Sequence, residues 1–506
     1  MAAARSRTGV SVLVATMAIA GCAAHAVESG RAIPEATDLQ TFYGQTISWS
    51  ECHDGKECGR LAVPLDYADP GERTIEIAVV RKPADDPDIR VGTLVYNPGG
   101  PGASGVEAVA MTSDILFSPT VNQRYDLVGF DPRGVGESTA VECLSDEEID
   151  AAASVDPTPE TAAEVEALVA HSEKTAAACR ANSPDGLLDH MSTVEVARDL
   201  DILRAALGEE KLSYLGVSYG TYLGAIYAEH FVDKVGRFVL DGATDPREWP
   251  FAPGYTATKS ASFQLALDSF VADCVTQADC PVGADPVVAQ QLLVDLVAKT
   301  DRTPLPGDGD RKTSESTLLN GFAVALFAPE LWSVLRTAIA DAQAGDGELF
   351  LALSDAISGR DENGHYSSLG DVVGIVDCLD GPPEFAVDEV ADALPELREL
   401  SPIFAPLFAW SATCTGMPAA KGEPHEIQAP GAPPIVVVGT TRDPATPYRW
   451  AEGLAEQLQS GVLVTYDGDG HGAYGSDRNQ CIVDTVDAYL VDGAVPETGS
   501  WCTDAG

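Results

Sequence analysis

The sequence predicts an α/β protein with a mostly parallel central sheet and a large, mainly helical insertion. Short apolar runs bounded by glycine and proline are typical of buried parallel strands, and they alternate with helical patterns between residues 93 and 241. The alternation stops over residues 248–430, where helical patterns dominate, and it resumes at residue 434. A chain of 506 residues is long enough for one core with such an insertion.

Each element follows from its local pattern. The predicted strands are residues 60–64, 74–80, 93–96, 126–130, 212–217, 238–240, 434–439 and 462–466. The second of these alternates, with apolar residues at Ile75, Ile77 and Val79, and we expect it to form an antiparallel pair with the first. The predicted helices are residues 194–207, 221–228, 260–275, 286–298, 331–344, 448–458 and 481–490.

The first 22 residues are typical of an export signal. Arg5 and Arg7 precede an apolar run, residues 10–20, that is too short to span a membrane. Residues 19–22 (IAGC) resemble a bacterial lipobox, in which Cys22 would be lipidated and become the mature N-terminus. The alternative is cleavage after residues 24–26 (AHA). We prefer the lipobox because a cysteine stands at the required position.

These signals divide the chain into segments. We expect a signal peptide with lipobox at residues 1–22, a linker at 23–40, the first part of the core at 41–247, the helical cap insertion at 248–430 and the second part of the core at 431–506.

The charge balance excludes one class of partner. The chain has 78 acidic and 31 basic side chains, a formal net charge of −47. Such a surface repels phosphate backbones, so we expect no nucleic-acid partner. We expect membrane contact only through the lipid on Cys22. The sequence indicates no metal, organic cofactor or oligomeric state.

The cysteines support export. Of the 11, Cys22 belongs to the lipobox, and an even set of ten in an exported chain implies disulfides. The ten are Cys52, Cys58, Cys143, Cys179, Cys274, Cys280, Cys378, Cys414, Cys481 and Cys502. Spacing does not determine the pairing, but we predict bridges between consecutive cysteines, above all the short 52/58 and 274/280 loops.

One motif at a strand end indicates the chemistry. Residues 216–220 (GVSYG) lie between the apolar run 212–217 and a helical pattern. Glycines two places either side of Ser218 allow a tight turn, and the hydroxyl is then exposed at the strand end in front of a helix N-terminus. A match to G-x-S-x-G arises easily by chance, so its context decides its meaning.

That context contains a base and an acid. A serine nucleophile needs a base within hydrogen-bond reach, and the base needs an orienting carboxylate. Asp443 follows the first strand after the insertion and His471 follows the next, which is the Ser–Asp–His order of α/β-hydrolases. Asp467 and Asp469 compete for the acid's role, but they lie on the histidine's own loop. We therefore predict an α/β-hydrolase fold with the triad Ser218, Asp443 and His471.

A glycine-dense loop is the candidate for an oxyanion hole. Residues 97–105 (NPGGPGASG) follow the strand at 93–96, and such a backbone can approach a substrate closely. We assign the two N–H donors to Tyr219 and, to within one residue, Gly100. A phosphate-binding loop is disfavoured because G-x-x-x-x-G-K-[ST] and any lysine are missing.

Taken together, these motifs resemble one branch of the α/β-hydrolases. Residues 97–102, 131–134 (DPRG), 216–220, 443–447 (DPATP) and 470–472 (GHG) are similar to the actinobacterial tripeptidyl aminopeptidases and the related mycobacterial cell-envelope serine protease, in the prolyl-aminopeptidase-like branch. The similarity runs from about residue 45 to the C-terminus and is weak across the insertion. We interpret the DPRG turn as structural, with Arg133 paired to a carboxylate.

The resemblance also implies a helical cap whose carboxylates pair with the substrate's ammonium group. Residues 377–380 (DCLD), in the insertion, look like the family's cap motif around a cysteine. Asp380 is therefore the candidate amine anchor, with Asp377 behind it. The alternative is a solvated acid near a disulfide.

What the resemblance implies is an exported serine peptidase that acts on peptide or protein substrates through an acyl-enzyme. It would release tripeptides or short peptides from free N-termini, and it would be an envelope lipoprotein at the outer face of the membrane or a secreted protein. One relative is an endopeptidase, so an endopeptidase of the cell envelope stays open. A carboxylesterase or lipase on the same triad also stays open, as does a non-catalytic envelope protein that keeps the fold for binding.

Overall fold

The structure is a computed structural model that describes residues 39–53, 55–248, 251–476 and 478–503. The predicted export signal, with Cys22, and nearly all of the predicted linker lie outside the described residues. Among the helices that are described, none combines the length and the apolar character needed to cross a membrane.

The strands and helices alternate through the core. The strands are β1 (Ser50–Cys52), β2 (Lys56–Pro64), β3 (Thr74–Lys82), β4 (Gly92–Asn97), β5 (Tyr125–Phe130), β6 (Leu212–Val217), β7 (Val235–Asp241), β8 (Leu305–Pro306), β9 (Lys312–Thr313), β10 (Ile435–Arg442), β11 (Gly461–Asp469) and β12 (Ser500–Thr503). The helices up to the end of β7 are α1 (Gln40–Tyr43), α2 (Gly105–Leu116), α3 (Pro119–Arg124), α4 (Asp146–Ala152), α5 (Ala162–Asn182), α6 (Thr193–Ala206) and α7 (Tyr219–His230).

The later helices belong to the insertion and to the second part of the core. They are α8 (Tyr255–Cys274), α9 (Pro286–Arg302), α10 (Glu315–Phe327), α11 (Trp332–Ala344), α12 (Glu348–Ser358), α13 (Leu369–Asp380), α14 (Val390–Leu400), α15 (Phe404–Ser411), α16 (Tyr448–Gln457) and α17 (Gln480–Asp487).

The central sheet has the order β1-β2-β3-β5-β4-β6-β7-β10-β11-β12. The pairs β1–β2, β2–β3 and β3–β5 are antiparallel, and the remaining pairs of this sheet are parallel. The predicted α/β class and the early antiparallel pair are therefore confirmed. The short edge strands β1 and β12 were not expected. Each lies at a disulfide, one between Cys52 and Cys58 and the other between Cys481 and Cys502.

Both faces of the sheet are covered, which explains its continuous apolar runs. Successive residues of β10 point to opposite faces: Ile435 and Val437 join the core cluster that contains α6, α7 and α16, whereas Val436 and Val438 join the cluster that contains α2, α3 and α17. Burial on both faces requires apolar residues at every position, as in the strands at 93–96 and 434–439.

Between β7 and β10 the chain is mainly helical. Helices α8 to α12, together with α15, enclose a hydrophobic core of their own. Helix α5, which comes before the insertion, packs through Val165 and Leu168 against Val390 and Trp410 of α14 and α15. Chain from outside residues 248–430 therefore packs together with helices of the insertion.

All ten cysteines of the described chain form consecutive disulfides, in the pairing that the sequence predicts. The pairs are Cys52–Cys58, Cys143–Cys179, Cys274–Cys280, Cys378–Cys414 and Cys481–Cys502. The fourth of these ties α13 to the chain that follows α15.

Arg133 is a structural residue of the core, as its turn predicts. Its guanidinium is buried and donates to both carboxylate oxygens of Asp199, from Nε at 2.8 Å and from Nη2 at 2.7 Å, and to three backbone carbonyls. Replacing it in Arg133→Met leaves that carboxylate buried without its cation. We expect the free energy of unfolding, measured by urea titration, to fall by about 3–5 kcal/mol.

The matched control is Arg60→Met. Arg60 pairs with Glu137, but both side chains are about half exposed (47% and 54%). Exposed pairs contribute little, so we expect a loss below about 1 kcal/mol. Equal losses in the two variants would contradict the assigned role of Arg133.

Candidate active site

Ser218 occupies a strained turn between β6 and α7. Its φ of 58° and ψ of −125° are values that L-residues rarely adopt. The turn needs its flanking glycines: a Cβ on Gly216 would lie 2.3 Å from the carbonyl oxygen of Gly220, and one on Gly220 would lie 2.7 Å from the carbonyl oxygen of Asn97. Local sterics therefore select the G-x-S-x-G pattern and place the serine at the end of the strand.

The predicted acid and base are in direct contact. Nδ1 of His471 lies 2.9 and 3.0 Å from the two carboxylate oxygens of Asp443. The carboxylate is fully buried and also accepts from the backbone N–H groups of Ala445 (2.8 Å) and Thr446 (2.9 Å). Because every donor points at the carboxylate, Nδ1 carries the imidazole proton and Nε2 is left to accept one.

Two glycines hold the histidine loop in a conformation that other residues avoid. Gly470 and Gly472 have φ of 104° and 72°. The N–H of His471 donates to the carbonyl oxygen of Phe327 at 2.8 Å, and the two rings lie 5.3 Å apart. On the opposite side, a Cβ on Gly242 would lie 3.2 Å from Cε1 of His471. The imidazole thus lies between the insertion and the end of β7.

Ser218 lies at the same edge of the sheet as Asp443 and His471. The strands that precede them are parallel, so their carboxyl ends meet at one edge. The backbone N–H of Ser218 donates to the carbonyl oxygen of Asp241 at 3.0 Å, next to the glycine that touches the imidazole. Within the described chain, no hydrogen bond joins the Ser218 hydroxyl to His471. Such bonds often tighten only when substrate binds.

The competing acids have other partners. Asp467 accepts from Nη1 of Arg442 and from the hydroxyl of Thr441, each at 2.9 Å. Asp469 accepts from Nε of Arg442, also at 2.9 Å. Both carboxylates are thus held by an arginine on β10, and Asp443 is the carboxylate that contacts His471.

The glycine loop lies against the nucleophile turn. A Cβ on Gly99 would lie 2.5 Å from the carbonyl oxygen of Val217 and 3.2 Å from the nitrogen of Tyr219. The Gly99 N–H already donates to the side-chain oxygen of Asn97 at 3.0 Å. In the part of the chain that is described, the N–H groups of Gly100 and Tyr219 have no acceptor. The two predicted donors are therefore available to an oxyanion.

Helix α13 covers this loop. The side chain of Leu369 lies 3.3 Å from where a Cβ on Gly100 would be, and Cβ of Val372 lies 2.9 Å from the same position on Gly102. The other end of α13 carries Asp377 and Asp380, both buried. One helix thus contacts the loop at its first turn and presents two carboxylates at its last.

The two carboxylates at the end of α13 differ in their partners. Asp380 accepts from the N–H of Thr193 at 2.8 Å and from the hydroxyl of the same residue, and burial raises its pKa to about 7. Oδ1 of Asp377 is buried without a hydrogen-bond partner in the described chain. Burial raises the pKa of Asp377 to about 8, although Lys259 lowers it. Asp380, the first candidate for the amine anchor in the sequence analysis, thus already has two donors, whereas Oδ1 of Asp377 has none in the described chain.

Three residues that support the site were not predicted from the sequence. The hydroxyl of Thr446 lies 2.9 Å from Oδ2 of Asp443 and 3.3 Å from Nδ1 of His471. Ser262, on α8, donates to the carbonyl oxygen of Asp443 at 2.5 Å. Asp241 binds the chain after the histidine. Thr446 lies inside the DPATP motif and could have been found there, whereas the other two carry no local signal.

One acidic cluster has a spacing that could hold a cation. Asp156, Asp301 and Glu315 each bring a carboxylate oxygen within 4.8 Å of the others. Burial raises the pKa of Glu315 to about 7, and the Thr158 hydroxyl donates to it at 2.7 Å. Acidic groups of this kind are common without an ion, so we assign no metal to it.

The chain is similar to known proteins that are named as a serine protease, a carboxylesterase and an aminopeptidase. The family model described as TAP-like protein matches residues 401–502. The serine protease Hip1 of Mycobacterium tuberculosis is 38% identical over 488 residues, covering 91% of each chain. Carboxylesterase B of the same species is 37% identical over 478 residues, covering 90% of this chain and 89% of that protein. The tripeptidyl aminopeptidase of Streptomyces lividans is 32% identical over 481 residues, covering 88% and 84%.

The matches among solved structures are remote. Proline iminopeptidase from Mycobacterium smegmatis is 13% identical, covers 86% of this chain and 98% of that one, and has a TM-score of 0.36. A hydrolase from Pseudomonas aeruginosa is also 13% identical, covers 88% and 98%, and has the same TM-score of 0.36. The family assignment therefore depends on the sequence relatives.

Proposed function

We propose a function from one premise: the chain belongs to the family of α/β-hydrolases that contains the serine protease Hip1 and the tripeptidyl aminopeptidases. It is a serine hydrolase of that family. In our proposal it is an exported peptidase that cleaves peptide or protein substrates and releases tripeptides or other short peptides from free N-termini.

The proposed mechanism uses the triad and the glycine loop. His471 takes the proton of Ser218 as the hydroxyl attacks the scissile carbonyl, and Asp443 holds the imidazole and stabilises its charged form. The N–H groups of Tyr219 and Gly100 bind the developing oxyanion. His471 then returns the proton to the leaving amine, and water hydrolyses the acyl-enzyme with the same base.

The observation that carries the proposal is the buried Oδ1 of Asp377, on the helix that covers the oxyanion loop, which has no hydrogen-bond partner among the residues that the structure describes. A buried carboxylate oxygen without a donor is costly, and a substrate ammonium would supply that donor. A charge-assisted bond in a closed site discriminates strongly against a blocked N-terminus.

The position of Asp377 along α13 suits a short acyl segment. It comes eight residues after Leu369, which contacts the oxyanion loop, so about 12 Å of helix separates them at 1.5 Å per residue. Three residues of extended peptide span about 10 Å. This match of lengths supports a tripeptide, with its carbonyl at Gly100 and its amine at Asp377.

Two observations support the proposed export. Five disulfides are typical of proteins that leave the cytoplasm. The predicted signal peptide and lipobox at residues 1–22 would direct the chain out of the cytoplasm. Lipidation of Cys22 would then anchor the protein at the outer face of the membrane. We propose no other contact with the membrane and no nucleic-acid partner.

A carboxylesterase is the second candidate, because a relative named carboxylesterase B is nearly as similar as Hip1. The same triad serves both reactions. Turnover of a tripeptide amide with a free N-terminus, its N-acetylated form and a short-chain ester separates the candidates. The proposal expects the free amide to be preferred over the acetylated one, and hydrolysis of the ester alone would reject it.

The length of the released fragment tests the exopeptidase proposal. An unblocked peptide of about ten residues is incubated with the enzyme, and the products are identified by mass spectrometry. We expect tripeptides from the N-terminus at early times. Internal cleavage of the acetylated peptide at an equal rate would instead indicate an endopeptidase.

We expect the variant Asp377→Asn to lose its preference for free N-termini. Without the carboxylate, kcat/KM for the free tripeptide amide should fall about 10- to 100-fold, the contribution of a hydrogen bond to a charged group. Hydrolysis of the short-chain ester should stay close to the wild-type rate. The measurement is the ratio of the two kcat/KM values.

The pH dependence of this ratio gives an independent check. Because burial raises the pKa of Asp377 to about 8, the carboxylate loses its charge as the pH falls below that value. The ratio should therefore decrease towards low pH in the wild type and stay flat in Asp377→Asn. Asp371→Asn, on the first turn of the same helix, is the control. A loss of preference in that control but not in Asp377→Asn would refute the assignment.

A further inference from the structure

Asp241 connects the nucleophile turn to the histidine loop. It is the last residue of β7, which lies in the sheet between the strand of the nucleophile, β6, and the strand of the acid, β10. Its side chain is buried, with 1% exposed. The proposed roles of the triad residues use neither its charge nor its burial.

Both the backbone and the side chain of Asp241 form hydrogen bonds at the site. Its backbone carbonyl accepts from the N–H of Ser218 at 3.0 Å. Its carboxylate accepts from the N–H of Ala473 at 2.9 and 3.1 Å and from the N–H of Tyr474 at 2.9 Å. One residue therefore fixes the backbone of the nucleophile and of the two positions that follow Gly472.

The geometry favours the ionised carboxylate. Both of its oxygens accept hydrogen bonds from backbone N–H groups. Burial raises the pKa of Asp241, and the two N–H groups and the nearby His471 oppose that rise. The other titratable groups that face it are Asp443, at the end of β10, and Tyr96, on β4.

The histidine ring also touches the chain next to Asp241. A Cβ on Gly242 would lie 3.2 Å from Cε1 and 3.4 Å from Nδ1 of His471. Any shift of the β7 end would therefore move the surface against which the imidazole packs. The carboxylate of Asp241, its backbone carbonyl and the adjacent Gly242 therefore all contact either the nucleophile turn or the histidine loop.

We propose that Asp241 is a positioning residue: it fixes the His471 loop relative to Ser218, and its negative charge stabilises the imidazolium that forms when His471 takes the serine proton. This proposal rests on the proposed triad but not on the identity of the acyl substrate.

The test is the variant Asp241→Asn, which has nearly the same shape but no charge. The readout is the rate at which a fluorophosphonate probe labels Ser218 as a function of pH, which needs no knowledge of the substrate. We expect the maximal labelling rate to fall about 10- to 100-fold, because misplaced groups react slowly. The acid limb of the profile should move to lower pH by at least about 0.5 unit, since the imidazolium loses a stabilising charge.

Asp487→Asn is the matched control. Asp487 is also buried and accepts from the hydroxyls of Tyr474 and Ser118, at 2.8 and 2.5 Å, but it contacts neither Ser218 nor the backbone of the histidine loop. Its acid limb should coincide with that of the wild type. Asp241→Ser, which keeps an acceptor but no charge, replaces the asparagine variant if thermal melting shows that the latter is unfolded.

The proposal is overturned if the acid limb of the folded Asp241 variant is unchanged, or if its maximal rate stays within threefold of wild type. Failure of both Asp241 variants to fold would also overturn it, because the residue would then be structural. A wild-type protein that the probe does not label at Ser218 would instead refute the proposed nucleophile, so the two failures are distinguishable.

Discussion

Replacing Ser218 by alanine will reduce kcat on every substrate by on the order of 10⁵-fold. The reason is that the acyl-enzyme cannot form without the hydroxyl, and only binding and the oxyanion donors then remain to accelerate the reaction. The measurement is kcat on the tripeptide amide and on the short-chain ester, together with labelling by a fluorophosphonate probe. Labelling should disappear in Ser218→Ala.

Ser213→Ala is the control for this result. Ser213 lies on the same strand, β6, and is only partly buried. It should keep both activity and labelling near the wild-type level. If Ser218→Ala were still labelled, or still turned over substrate within tenfold of wild type, another residue would be the nucleophile and the proposed mechanism would be refuted.

Replacing Asp443 by asparagine will reduce kcat about 10⁴-fold while the protein remains folded. An amide can donate to Nδ1 and so favours the wrong tautomer of His471, in which Nε2 carries the proton and cannot take one from Ser218. It also removes the charge that stabilises the imidazolium. The measurement is kcat on the short-chain ester, with thermal melting as a check of folding.

Two acids at the end of β11, which the sequence analysis placed on the loop of His471, make this prediction specific. Asp467 and Asp469 are each paired with Arg442, so Asp467→Asn and Asp469→Asn should keep kcat within about tenfold of wild type. A loss in either variant as large as that in Asp443→Asn would mean that the acid of the triad has been assigned wrongly.

The parts of the site that were predicted from sequence are those encoded by local backbone geometry. The glycines of residues 216–220 are required because a Cβ at Gly216 would collide with the carbonyl oxygen of Gly220, and one at Gly220 with that of Asn97. The glycines around His471, and Gly99, Gly100 and Gly102 in the glycine loop, adopt positive φ, which other residues avoid. Such requirements leave a pattern within a few residues of sequence. The order of the strands then indicates which acid and which histidine follow the serine in the triad.

The fold was predictable for the same reason. Strands buried on both faces must be apolar at each position, as in β4 and β10, and this pattern is visible without knowledge of the partners. The edge strands β1 and β12 have no such run, and each is paired at a disulfide. Helix α5 lacks a clear apolar stripe in sequence, and only packing against α14 and α15 shows which side of it is buried.

The sequence by itself determined the α/β class, the G-x-S-x-G turn and the order of Ser218, Asp443 and His471, whereas the pairing of the cysteines was a prediction that the structure confirmed. Only the tertiary structure decided which carboxylate meets which donor. Thr193 donates hydrogen bonds to Asp380, whereas one oxygen of Asp377 has no partner in the described part of the chain, and Asp241 connects the nucleophile turn to the histidine loop. Backbone conformation is a property of neighbouring residues, whereas the partner of a buried charge is set by chain segments that lie far apart in sequence.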